Sequence, residues 1–216
     1  MSILEALKNN KGTVSSALGK ELAQQALAGE MEILREAIDL CTWKLPDMVG
    51  KNVRAGAAKT VESVAEKSPD LVAAKLEQLL PALEAPEPQT RWMVLRIFGF
   101  CATARPEVAE QAIPSAEEVL LTKEGLIVAS SADLYLGEMG AVSTEYARKV
   151  FPILARSAAT VIRNEADWIL EAFIAMSAKM DADQCSTAMD FAARHLGDAR
   201  KSTAGRARKL TRLLGD

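Results

Sequence analysis

The sequence predicts an all-α protein built from repeated helix pairs, and three observations support this. The chain has 216 residues, of which 49% are hydrophobic and only 5% aromatic, which is enough apolar material for a sizeable core. Few segments show the alternation or the clustered β-branched residues of strands. Signals for the start of a helix recur every 37 to 39 residues, at Pro69, Pro106, Thr144 and Asp183. Such a period is typical of helical repeats.

Prolines mark two positions in the predicted repeat. Proline is harmless in a first helical turn, where its missing N–H would have no partner, and Thr and Asp are N-cap residue types. A second proline follows two apolar residues further along the first helix, at Pro81, Pro114 and Pro152. An interior proline removes a backbone hydrogen bond and costs about 3 kcal/mol. Its recurrence in the same context therefore indicates a repeated architecture.

The elements follow in chain order from these signals. We predict one domain over residues 1–216, with an N-terminal capping region, 1–29, and helix pairs over 30–214. The capping helix covers 13–28, and the pairs are 30–43 with 53–67, 70–84 with 90–104, 107–122 with 125–141, 144–160 with 165–179, and 183–197 with 203–214. The middle second helices are apolar nearly all round, as expected of helices flanked on both sides. Trp92 and Trp168 lie early in two of them; we interpret them as core fillers, with exposed ligand-binding aromatics as the alternative.

A repeated helix pair of 37 to 40 residues, with a proline in the first helix and a basic residue opening the second (Arg54, Arg91), resembles the HEAT repeat family. The resemblance runs from about Glu30 to the end of the chain. It implies a right-handed α-α superhelix, a solenoid of about five pairs, whose second helices line a concave groove. The pattern departs from the family at Leu126 and Asp167, which stand near the positions expected to carry arginine, and in its loop aspartate, which is missing or displaced.

Catalytic and metal-binding signatures are absent from the sequence. It has one histidine, His195, and no zinc, phosphate-loop, dinucleotide or serine-hydrolase motif. We therefore expect no enzymatic activity, no cofactor and no metal site. Asp133, Asp167 and Glu171 lie in second helices, where each is either bonded to a neighbouring helix or directed into the groove.

Charge is distributed unevenly along the chain. Residues 1–140 carry a net charge of −6 and residues 141–216 a net charge of +3. Arg206, Arg208, Lys209 and Arg212 of the last helix are either a solvated end cap or a patch for phosphates or an acidic partner. The overall charge of −3 argues against nonspecific nucleic-acid coating, because phosphate contacts supply most of that affinity.

Two classes of function fit these patterns. The first is a non-enzymatic scaffold or adaptor that binds a protein or peptide in the concave groove. The alternative is a HEAT-like DNA-binding protein or alkylpurine DNA glycosylase, a class whose basic clefts combine aromatic residues with a carboxylate. Trp168, Asp167 and Arg163 are the candidates for such a cleft, together with Arg148. A HEAT-like lyase that attaches a chromophore to another protein is a third possibility without positive support.

The expected location is the cytoplasm. No apolar run approaches 18 residues, so we expect no membrane span. The N-terminus lacks the basic and apolar regions of a secretory signal. Cys41, Cys101 and Cys185 form no CxxC pair and are expected to be small buried side chains in a reducing compartment.

Overall fold

Thirteen α-helices and three 3₁₀ segments make up the computed structural model, which describes residues 2–9, 17–44 and 48–215. No strand occurs in this part of the chain. The predicted all-helical class, an α solenoid, is thereby confirmed. The helices group into two compact units, Met1–Ala112 and Ile113–Asp216, which are described separately. Whether the whole chain acts as one domain stays a prediction.

In the first unit the long helix α4 is central. The elements are α1 (Ile3–Asn9), α2 (Ala17–Leu27), α3 (Met31–Leu40), α4 (Met48–Ala65), α5 (Pro69–Ala73), a 3₁₀ segment (Leu76–Glu84), α6 (Pro88–Phe100), α7 (Pro106–Ala109) and a 3₁₀ turn (Glu110–Ala112). Helix α4 packs against α1, α2, α3 and α6. Small residues on α4 permit these contacts: a Cβ on Gly56 would lie 2.5 Å from a methyl carbon of Leu7.

The second unit is arranged around α9 and α11. Its elements are α8 (Ile113–Thr122), α9 (Leu126–Val142), α10 (Thr144–Ala159), α11 (Ala166–Met176), a 3₁₀ turn (Ser177–Lys179), α12 (Ala182–His195) and α13 (Lys201–Gly215). Helix α9 packs against α8, α10 and α11, and α13 packs against α11 and α12. Three short loops join α8 to α9, α10 to α11 and α12 to α13, so the two helices of each pair are antiparallel. We call the side of the unit that holds these loops its loop edge.

The five predicted pairs are present, but two first helices are interrupted. Pro69 and Pro106 open helices as predicted. The predicted helix 70–84 becomes 3₁₀ helix around Pro81, and the predicted helix 107–122 contains a 3₁₀ turn just before Pro114. The proline ring clashes with the carbonyl four residues earlier, which favours the tighter 3₁₀ pattern there. Pro152, by contrast, lies inside the continuous helix α10.

Several finer predictions are corrected. The N-cap of α10 is Ser143, one residue before Thr144, and its hydroxyl accepts a hydrogen bond from the amide of Tyr146. The N-cap of α12 is Asp181 rather than Asp183, because Gln184 completes a capping box with it.

The N-terminus also differs from the prediction. Helix α1 was not predicted at all, and α2 covers Ala17–Leu27 of the expected capping helix 13–28, whose first four residues lie outside the described part of the chain. Cys185, expected to be buried, is half-buried, whereas Cys41 and Cys101 are buried.

Trp92 and Trp168 were expected to be core fillers, and both are half-buried. The core positions around them are filled instead by residues such as Phe98 and Phe173, which are fully buried.

Candidate functional site

A buried ion pair joins the first two helix pairs in the first unit. Arg54 on α4 donates from Nε to Oε1 of Glu87 at 2.8 Å and from Nη2 to Oε2 at 2.7 Å. Its Nη1 donates to the carbonyl oxygen of Trp43 at 2.7 Å, and the Thr90 hydroxyl donates to Glu87 Oε1 at 2.5 Å. The bidentate geometry satisfies both charges. Burial raises the pKa of Glu87, but the hydrogen bonds from Arg54 and Thr90 outweigh it and lower that pKa overall.

A second buried polar cluster joins α9, α10 and the start of α11 in the second unit. Lys123, in the loop after α8, donates from Nζ to the Ser157 hydroxyl at 2.9 Å and pairs with Glu165. The Ser157 hydroxyl donates to Oδ1 of Asp133 at 3.0 Å. Asp133 and Glu165 are completely buried, and the cluster ties three elements together. We call these four residues the Lys123 cluster.

Asp133 is the unusual member of the Lys123 cluster. Its Oδ2 is buried and has no hydrogen-bond partner in the described chain. Burial raises the pKa of Asp133 well above the ordinary value, and Glu165 raises it further, whereas Lys123 and the Ser157 hydrogen bond oppose the shift. Asp133 was expected either to bond to a neighbouring helix or to point into the groove, and its contact with Ser157 on α10 supports the first alternative.

A pocket opens above the Lys123 cluster. It has a volume of about 300 Å³ and lies between the C-terminal halves of α8 and α10. Leu120, Leu121 and Ile153 form apolar walls, and Lys123 and Ser157 supply the polar floor. Arg156 and Glu117, which form an exposed ion pair, also line it. The volume is at the lower end of the range for ligand pockets, so it fits a single small group rather than a cofactor.

Serine next to lysine could suggest a nucleophile, but Lys123 is a hydrogen-bond donor to this serine and not the base that a nucleophile needs. A catalytic serine needs a neighbouring base that accepts its proton. Here Lys123 donates to the hydroxyl and is engaged by the buried carboxylate of Glu165, and the hydroxyl donates to Asp133. The arrangement is that of a structural polar network.

The first unit has a pocket in the equivalent place. A cavity of about 390 Å³ lies between the end of α3 and the end of the 3₁₀ segment, and Arg54 lines it as Lys123 lines the other. In each unit a buried cation therefore lies below a cleft between consecutive first helices. Each cation pairs with a glutamate directly before the next second helix, Glu87 or Glu165.

Three of the sequence-predicted site residues come together between α11 and α13. Arg206 donates from Nη1 to Oδ1 of Asp167 at 2.9 Å and from Nε to Glu171 at 2.6 Å. Its guanidinium carbon lies 5.6 Å from the centre of the Trp168 ring. Arg200 approaches the other oxygen of Asp167 at 3.5 Å. Burial lowers the pKa of Arg206, but the hydrogen bond that it donates to Glu171 and the charge of Asp167 outweigh this effect and raise that pKa overall.

The remaining candidates lie apart from this group. Arg208, Lys209 and Arg212 are exposed on α13 and make no ion pair with any residue that the structure describes; we call them the α13 basic face. Arg163 is exposed in the loop before α11, without a hydrogen bond or ion pair to a described residue. Arg148 approaches Asp181 at 3.7 Å rather than Asp167.

Exposed apolar residues concentrate beside the loops within helix pairs. Eight large hydrophobic residues are exposed in the described chain, and six of them flank such loops: Met48, Val49, Leu121, Ile127, Val161 and Leu196. Leu121 and Ile127, on either side of the α8–α9 loop, are 70% and 61% exposed. Apolar exposure of this kind marks interaction surfaces when it is concentrated in one region.

Sequence reasoning missed Lys123, Ser157, Glu87 and Glu165. The signal for the two glutamates was their shared position, the residue before a second helix, where the positive helix end favours an acid. No comparable signal marks Lys123 or Ser157, because the cluster depends on contacts between distant segments.

Within residues 2–9, 17–44 and 48–215, no three His, Cys, Asp or Glu side chains are grouped so that they could hold a metal ion. None of the helices in that part of the chain is both long and apolar enough to cross a membrane.

The chain is similar in structure to engineered helical repeat proteins. No family model matches it, and no curated protein matches it in sequence. The crystal structure of an engineered protein, Northeast Structural Genomics Consortium target OR366, has a TM-score of 0.73 at 15% identity, covering 99% of this chain and 97% of that one. Target OR329 of the same consortium, also engineered, has a TM-score of 0.66 at 14% identity, covering 100% and 97%. The designed armadillo repeat protein YIII(Dq)4CqI has a TM-score of 0.63 at 13% identity, covering 98% of each chain. These likenesses show the fold: the chain is a helical repeat protein.

Proposed function

We propose that the chain is a non-enzymatic scaffold of the HEAT type that binds a protein or peptide partner. The observation that carries this proposal is the concentration of exposed large apolar residues beside the loops within helix pairs. Single exposed hydrophobic residues are ordinary, but in the second unit four of the five described ones, Leu121, Ile127, Val161 and Leu196, flank these loops and indicate a surface that a partner covers.

The ion pairs of the buried charged residues support the same function. Arg54 with Glu87, and Lys123 with Glu165, hold neighbouring helix pairs together, so these four charged side chains have a structural use. Helical repeats of this class typically supply an extended surface rather than a reaction centre. The buried free thiols of Cys41 and Cys101 are consistent with a reducing compartment such as the cytoplasm. The position of the partner in a concave groove stays a prediction.

Photo-crosslinking tests this function. Ile127 and Leu71 are both exposed aliphatic residues, but only Ile127 flanks a loop within a pair. Each is replaced in turn by p-benzoyl-phenylalanine, and the full chain is irradiated in extract from its source cells. We expect one crosslinked protein, identified by mass spectrometry, from position 127 and none from position 71. The same yield from both positions, or no specific product, would contradict the proposal.

One observation favours the second candidate, a DNA-binding protein or alkylpurine DNA glycosylase. Asp167 and Trp168 gather with an arginine, as in such a cleft, although the arginine is Arg206 and not the predicted Arg163 or Arg148. Both oxygens of Asp167 are already approached by arginines, however, so the carboxylate is not free to act as a base. Release of a methylated purine from duplex DNA by the wild-type chain, and its loss in Asp167→Asn, would establish this alternative over the scaffold.

A further inference from the structure

The pocket above the Lys123 cluster has the features of a side-chain receptor. Its walls are the apolar side chains of Leu120, Leu121 and Ile153. Leu121 is 70% exposed although it lines the pocket, so an occupant would cover it. The pocket lies at the loop edge of the second unit, where Ile127 and Val161 are also exposed.

The floor of the pocket offers one hydrogen-bond donor. An ammonium carries three N–H groups. The Ser157 hydroxyl and Glu165 accept two of those of Lys123, and no described residue accepts the third. The side chain of Lys123 is 12% exposed and lines the pocket, so an entering acceptor oxygen can reach it.

The charges around the pocket are balanced. Lys123 pairs with Glu165, and Arg156 pairs with Glu117 at the rim. An anionic occupant would have to compete with these carboxylates, and a cationic one would meet Lys123 and Arg156. The complementary occupant is therefore neutral, apolar in its body, and equipped with an acceptor oxygen.

We propose that this pocket receives a leucine- or phenylalanine-sized side chain from a neutral segment of a partner protein, with a backbone carbonyl of that segment accepting from Lys123. The volume of about 300 Å³ fits one such side chain with part of its backbone. This inference rests on the proposed scaffold function and names the chemistry of the segment that the scaffold binds.

The test is an NMR titration of the full chain, labelled with ¹⁵N, using N-acetyl-leucine methylamide as the probe. We expect a dissociation constant in the millimolar range and amide shifts centred on Leu121, Lys123 and Thr160. N-acetyl-leucine, with its free carboxylate, and N-acetyl-lysine methylamide, with its charged side chain, should bind at least about tenfold more weakly. Equal binding of the three probes, or shifts that map elsewhere, would overturn the proposal.

Two matched variants separate binding from folding. Ala159 is exposed and lines the pocket, whereas Ala193 is exposed on α12 and does not. Ala159→Trp should fill the entrance and weaken probe binding about tenfold or more, and Ala193→Trp should leave it unchanged. Leu121→Ser, a change at a largely exposed side chain, should also weaken binding. Unaltered affinity in both pocket variants would refute the inference.

The outcomes distinguish this inference from the proposed function. A crosslinked partner that binds Ala159→Trp as well as it binds the wild-type chain would retain the scaffold and exclude the pocket. Probe binding at the pocket without any crosslinked partner would retain the pocket and exclude the scaffold.

Discussion

Replacing Glu87 by glutamine should destabilise the protein strongly, because it removes the buried carboxylate that pairs with the guanidinium of Arg54. The side chains of Arg54 and Glu87 are only 7% and 4% exposed, and two hydrogen bonds of 2.8 and 2.7 Å join them. Glutamine keeps the size and one acceptor oxygen but removes the charge. Breaking a buried pair in this way costs about 3–5 kcal/mol.

The chain offers a matched control for this substitution. Glu32 pairs with Arg35 at 2.5 Å, but the two side chains are 77% and 54% exposed. An exposed pair contributes about 0–1 kcal/mol, so Glu32→Gln should change the free energy of unfolding by less than about 1 kcal/mol. Urea unfolding, followed by circular dichroism and tryptophan fluorescence, measures both variants in the same unit of the protein.

The pH dependence gives an independent check. The pKa of Glu87 is lowered in the folded protein, so its contribution is present above the ordinary glutamate pKa of 4.5 and is lost as the pH falls through the lowered value. The stability difference between wild type and Glu87→Gln should therefore shrink below about pH 4. The double variant Arg54→Met, Glu87→Gln should recover part of the loss, since it removes the buried guanidinium together with the carboxylate. If Glu87→Gln costs no more than Glu32→Gln, the pair is hydrated and the reasoning is wrong.

Three further predictions concern packing, a buried acid and surface charge. A Cβ on Gly137 would lie 2.5 Å from Cα of Ala172, so Gly137→Ala should lower the urea midpoint by the equivalent of about 1–3 kcal/mol. Gly205 has open space around it, so Gly205→Ala should raise the midpoint by the equivalent of about 0.5–1 kcal/mol. Equal effects of the two substitutions would contradict the close contact of α9 with α11. Because the pKa of Asp133 is raised in the folded protein, the contribution of this residue to stability is greatest below the ordinary aspartate pKa and declines as the pH rises toward the raised value. Asp133→Asn keeps the acceptor for Ser157 and should remove this decline above the ordinary aspartate pKa; the same decline of the unfolding free energy with pH in both proteins would refute the prediction. The α13 basic face should bind heparin and duplex DNA weakly and without sequence preference, and the affinity should fall steeply from low to physiological salt. Replacing its three residues by glutamate should abolish this binding. Salt-resistant binding would favour the nucleic-acid function.

The sequence predicted the helices well because proline and N-cap signals act locally. Pro69 and Pro106 fix the starts of two first helices, and the second helices of all five pairs lie close to their predicted positions. The 3₁₀ segment around Pro81 was missed because a missing hydrogen bond can be accommodated by a kink, by a break or by a tighter helix. Tertiary packing decides among these, and the composition of the helix does not.

The buried polar contacts could be predicted only in part. Asp167 and Trp168 were proposed for one cleft and Arg206 for a separate basic patch, and the structure brings all three together because α13, which carries Arg206, packs against α11. The pairing of Lys123 with Glu165 spans 42 residues and uses a loop residue with a positive φ of 49°. No spacing rule predicts such a contact.

In each ion pair between neighbouring helix pairs, the acid has a fixed position in the repeat and the cation does not. The cation comes from within a second helix at Arg54 but from a loop at Lys123, whereas the acid occupies the residue before a second helix at both Glu87 and Glu165. The positive end of a second helix favours an acid at the residue before it. The cation of the preceding pair can then come from a helix or from a loop, provided that it lies close enough to pair with this acid. Asp167 follows Glu165 by two residues, and residues so spaced on a helix face in opposite directions. Glu165 accordingly binds the preceding pair through Lys123, and Asp167 binds the following pair through Arg206. The start of α11 thus holds both neighbours, and for this reason an aspartate can stand at Asp167, near the position where the repeat pattern calls for arginine.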